Sequence, residues 1–175
     1  TEDGKFIRHF PIQKGNITAK NVMYYTPGSG FTLVFNDLLR QMMVLQCTPG
    51  NEMHDKWMIR GAACFGKIVY DPRSTARHIR YENSVTAEDA GNTNLLIHFV
   101  KDELLSDTAI KAKEYLKYYY DVFSEKMSKS DRETMEVFIK EPAGFFGWLR
   151  KVLYPHRLRM RLSGELALRF LFLLG

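Results

Sequence analysis

The chain has 175 residues, of which 45% are hydrophobic, 26% charged and 13% aromatic. This is the length of one domain, and the composition excludes a disordered or low-complexity polypeptide. The formal net charge of +5 is concentrated: residues 142–175 hold Arg150, Lys151, Arg157, Arg159, Arg161 and Arg169 against Glu165 alone, and residues 1–141 are neutral.

Residues 5–22 alternate in a strand-like way, with Phe6, Phe10 and Ile12 on one face, a turn signal at Gly15-Asn16 and β-branched residues after it, so a hairpin is predicted. Beyond the Pro- and Gly-rich loop 26–30, Val34, Leu38, Met42 and Leu45 recur at helical spacing, widened by Phe35, Leu39 and Met43. Asn36 is a good N-cap for that helix, which leaves 31–35 as a short strand. The apolar stretches 57–59, 65–70 and 95–100 read as strands, and a weaker alternation over 78–81 offers one more. After Asp107, a second N-cap, Ala112, Leu116, Tyr119, Phe123 and Met127 follow one helical face. Ser130 and Glu133 have capping-box spacing and start a further helix that ends near Pro142. Ala143-Gly144 then divides a globular domain, 1–141, from a basic aromatic segment, 142–175. The expected fold is α+β: an antiparallel sheet packed with two to four helices and followed by a basic C-terminal tail.

No complete catalytic or cofactor signature is present, and neither metal nor cofactor is expected. Cys47 and Cys64 lack metal-ligand spacing and cannot build a disulfide framework. The acidic start, Thr1-Glu2-Asp3-Gly4, lacks the basic and apolar regions of a signal peptide, so a reducing, cytoplasmic setting is expected. Cys64, flanked by Gly61 and Gly66, would suit a nucleophile in a tight turn, and His98, between Ile97 and Phe99, would suit a cleft. Core packing is the simpler explanation of either residue. Tyr118 and Tyr120 with Lys117 offer stacking surfaces and a cation for a partner or a nucleic acid. Consecutive tyrosines at 118–120 span about 200° of a helix and cannot all face a core.

The tail carries the most specific pattern. Phe145, Trp148, Leu149 and Val152 can form one apolar face flanked by Arg150 and Lys151, which suits a bilayer interface where aromatics settle among headgroups. After Pro155, Arg157, Arg159 and Arg161 alternate with Leu158, Met160 and Leu162, and in an extended chain the three arginines would meet phosphates of lipid or nucleic acid. The alternative is a terminal helix docking its aromatics on the core with its arginines solvated. Residues 166–174 are apolar apart from Arg169, too short to span a bilayer, so they lie in an interface or the chain continues beyond them.

In size, in a sheet packed with helices, in basic character and in the lack of enzymatic motifs, this plan resembles that of small viral matrix proteins, particularly those of plant-infecting rhabdoviruses. The resemblance covers most of the chain as a plan and carries no diagnostic motif. It implies bridging between membrane and nucleocapsid, with self-association, although such proteins often place the basic membrane-binding segment at the N-terminus. The sequence therefore points to a non-enzymatic, peripheral adaptor that binds an anionic membrane surface through its C-terminal segment. A nucleic-acid-binding or nucleoprotein-binding accessory protein is the alternative, and a small enzyme using Cys64 or His98 a second.

Overall fold

The computed structural model describes residues 12–13, 15–44, 46, 52–74, 76, 79, 108–142, 144–159 and 162–174. Among them are six α-helices: α1 (Asp37–Val44), α2 (His54–Phe65), α3 (Thr108–Phe123), α4 (Lys129–Ile139), α5 (Gly144–Val152) and α6 (Leu162–Leu174). No strand occurs among the described residues, so the expected antiparallel sheet and the α+β class are corrected to a helical fold. The hairpin expected over 5–22 is, where described, an irregular segment closed by a turn in which the Asn21 N–H donates to the Thr18 carbonyl at 3.1 Å. The expected strand at 31–35 begins instead in a 3-10 turn, Gly30–Thr32. Residues 57–59 and Phe65 belong to α2, and 66–70 are irregular. The strand expected over 95–100 lies outside the described residues, as does most of 78–81.

Helix α2 carries a strand-like rather than a helical signature in the sequence because of where it sits. Trp57, Met58, Ile59, Arg60 and Gly61 are all buried, so its central turn is apolar around most of its circumference and shows no clear 3.6-residue period. Trp57 packs edge-on against Tyr119 of α3 at 5.1 Å, and its indole N–H donates to the Met43 carbonyl at the end of α1. Arg60 enters this interior only because Glu52, buried with it, accepts its guanidinium at 2.8 Å. The same guanidinium lies over the Tyr119 ring.

The other helices begin close to where their caps predict. The Asn36 side chain accepts the Leu39 N–H at 3.0 Å and opens α1, although the helix buries Met43 and leaves Leu38 exposed, and Val34, expected on its face, lies before the helix and is exposed. Ser128, two residues before the expected cap, accepts the Asp131 N–H and opens α4. Leu116, Tyr119, Phe123 and Met127 are buried along one face of α3 and the turn after it, as the spacing requires.

Described residues of the C-terminal segment contribute to this core. Tyr154, Leu158 and Leu168 are buried in the same cluster as Met23, Met43, Leu116 and Phe138. The Phe138 and Tyr154 rings meet edge to face at 4.9 Å, and the Tyr154 hydroxyl donates to the Lys20 carbonyl at 2.9 Å.

Candidate membrane-contact site

Gly144 opens α5 with a φ of +66°, a backbone region that favours glycine, and so turns the chain sharply out of the Pro142 segment. The first turn then presents Phe145 and Phe146 to solvent, 66% and 81% exposed. The Phe145 ring stacks on half-buried Trp148 at 5.9 Å and meets Phe146 edge-on, making a small aromatic platform. Leu149 and Val152 are half-buried, consistent with the packing of α5 against α4 and α6.

Helix α6 is apolar on both sides. Leu168 faces the core with Phe172 packed beside it, whereas Leu162, Leu166, Phe170 and Leu173 are exposed. Spaced at i, i+4, i+8 and i+11, those four share one face. The two charged residues of this helix do not serve that face. Glu165, 5% exposed, accepts the Leu158 and Arg159 N–H groups at 2.8 Å each and, through its other oxygen, Nε and Nη2 of Arg169 at 2.8 and 2.7 Å. Arg169 also donates to the Val152, Tyr154 and His156 carbonyls. This clasp fixes the turn between α5 and α6 and orients α6 so that its unpaired apolar face stays outward.

The candidate cations are distributed unevenly. Arg150 is exposed and makes no ion pair among the described residues. Lys151 is half-buried, 6.0 Å from the Phe172 ring; burial depresses its pKa, and nearby Lys113 adds to the effect. Arg157 is exposed and Arg159 half-buried on either side of fully buried Leu158, in a bend whose successive Leu158 and Arg159 N–H groups both point at Glu165, which is not the geometry of an extended chain. Arg161 lies outside the described residues. Arg169 is consumed by the clasp. Thus the structure gathers Phe145, Trp148, Arg150, Lys151, Arg157 and Arg159 on α5 and the turn after it. The apolar face of α6 was not singled out from sequence, although the apolar run 166–174 contains its signal.

The remaining candidates are not brought together. Tyr118 lies beside Trp57, while Tyr120, two residues on, donates its hydroxyl to Glu136 of α4. They point to different sides of α3, and Lys117 is exposed beside them. Cys64 sits in the last turn of α2 rather than in a tight loop, and burial pushes its thiol pKa up to about 12, which suppresses the thiolate a nucleophile needs. His98 lies outside the described residues. Among the described residues no group of three or more His, Cys, Asp and Glu is placed to hold a metal ion, and no helix is long and apolar enough to cross a membrane. No family model, curated protein or solved structure matches the chain.

Proposed function

We propose that the protein is a non-enzymatic adaptor that adheres to an acidic membrane surface through α5, α6 and the turn between them. One observation carries this reading: the uncharged, exposed face formed by Leu162, Leu166, Phe170 and Leu173, on a helix whose opposite face is held in the core. Removing such side chains from water is worth roughly 1–2 kcal/mol each, and a cation near anionic lipid adds about 1 kcal/mol. Phe145 and Phe146 supply the aromatic component of an interfacial site, and Arg150 and Arg157 its exposed cations. Apolar insertion is the larger contribution and charge the smaller, the reverse of the order suggested by composition. A matrix-like role would add self-association of the adsorbed chains. The divergence of Tyr118 and Tyr120 weighs against the nucleic-acid alternative.

The test is co-sedimentation of the whole chain with vesicles of phosphatidylcholine alone or mixed with phosphatidylserine, at low and high salt, with an oligonucleotide competitor. The wild type should sediment with the mixed vesicles and stay partly bound at high salt, because apolar insertion is not screened. The double variant Leu166→Glu, Phe170→Glu, both at exposed positions, should keep its circular dichroism and melting temperature and lose vesicle binding. Sedimentation of the variant like wild type, or removal of the wild type by the oligonucleotide, would overturn the proposal.

A further inference from the structure

A cleft of about 320 Å³ opens at the surface between the turn at residues 18–21, the first two turns of α4, and α5 with the turn after it. Lys20, Arg150 and His156 line it from three separate segments, together with Ser130 and Thr134; Glu133 is the one acid among its lining residues. Glu133 is half exposed, with Lys129 Nζ 3.9 Å away. The Thr134 hydroxyl donates to the Ser130 carbonyl, and both residues line the cleft.

Two of these three segments, those of Lys20 and His156, are fixed in place. The Tyr154 hydroxyl donates to the Lys20 carbonyl, and Arg169 donates to the carbonyls of Tyr154 and His156. Holding the backbone of both segments reduces the ordering cost of a ligand that bridges them. Arg150 stands on the ridge to a neighbouring cleft that contains Glu136 and Glu141. Those carboxylates are already paired, Glu136 with Lys140 at 2.7 Å and Glu141 with Lys113. Arg150, which makes no ion pair among the described residues, lines both clefts, as does Glu133.

We infer that this cleft binds a phosphate ester, with Arg150 and Lys20 meeting the phosphate oxygens and Ser130 and His156 donating at its edge. A planar guanidinium and an ammonium together suit a multiply charged oxyanion better than a carboxylate. The volume exceeds that of bare phosphate and accommodates a small phosphorylated headgroup. This deepens the membrane reading, on which it rests only for the lipid source of the ligand: the cleft reads a headgroup while the apolar face of α6 inserts.

The test titrates the whole chain, without vesicles, with inorganic phosphate and with glycerophosphoinositol 4-phosphate, and follows backbone amide shifts. Saturable shifts should centre on Ser130 and His156, and the organic phosphate should bind more tightly. Lys20→Gln and His156→Gln, which leave the aromatic platform untouched, should together weaken binding at least tenfold, equivalent to about 1.4 kcal/mol. The Leu166→Glu, Phe170→Glu variant should bind the phosphate ester like wild type. Phosphate binding by a chain that ignores vesicles would sustain the cleft, identify a free ester as its ligand and sink only the membrane reading. No saturable shift, shifts centred elsewhere, or unchanged affinity in the Lys20→Gln, His156→Gln variant would overturn the site.

Discussion

Replacing Glu165 with alanine should destabilise the fold by about 3 kcal/mol. The change removes four hydrogen bonds to the carboxylate, two from the Leu158 and Arg159 N–H groups and two from Arg169. It also leaves the Arg169 guanidinium, with a side chain 24% exposed, without its counter-charge. Breaking a buried pair from one side costs roughly 3–5 kcal/mol, and the partial exposure of Arg169 places this case near the lower limit. For a chain of this size, with a urea m-value of about 2 kcal/mol/M, the unfolding midpoint should fall by about 1.5 M. Urea titration followed by far-ultraviolet circular dichroism and tryptophan fluorescence measures this. Glu165→Gln keeps an acceptor for the two backbone N–H groups and should lose about half as much. Glu133→Ala, at an exposed site, should move the midpoint by less than about 0.3 M. If Glu165→Ala shifted the midpoint no more than Glu133→Ala, the clasp would not be holding the C-terminal helices.

Two further perturbations follow from the interior. Burial raises Cys64 from 9.0 to about 12 and Tyr154 from 10.0 to about 12. Above about pH 9 the unfolded chain thus releases protons that these two groups retain in the folded chain, so their contribution to stability should be level below pH 9 and be lost between about pH 9 and 12. Cys64→Ala should flatten the first part of that decline in urea midpoints measured against pH, and an unchanged slope would refute the assignment. At the α1–α2 crossing, a Cβ on Gly61 would stand 2.7 Å from Met43 Cε inside the core. Gly61→Ala should therefore cost about 1–3 kcal/mol by calorimetry despite the better helix propensity of alanine, and a gain in melting temperature would show that Met43 moves aside freely.

Local periodicity made α3 legible, since Leu116, Tyr119 and Phe123 mark one buried side and Lys117 and Asp121 the other. It failed for α2 because burial on several sides erases the alternation, and because Gly61-Ala62-Ala63 resembles a turn when its contact with Met43 is unseen. The basic and aromatic character of α5 could be read directly. The role of Arg169 could not: an i, i+4 pair with Glu165 is normally solvated, and only the tertiary fold supplies the three carbonyls that internalise it. The exposed face of α6 was hidden for a related reason, because a helix apolar all round does not reveal which of its sides is in the core.

The core joins Ala19 and Met23 to Leu158 and Leu168, and the Tyr154 hydroxyl reaches back to Lys20 across 134 positions. During synthesis, which proceeds from the N-terminus, these early residues lack their C-terminal partners, Tyr154, Leu158 and Leu168, until nearly all of the described chain has left the ribosome. The side of the core that those C-terminal residues cover is then exposed while α3 and α4 are already able to pair, an interval in which a holding chaperone has apolar surface to grip. A ribosome stalled before Leu158 would display this surface persistently, so translation speed over the last third of the message becomes a determinant of yield.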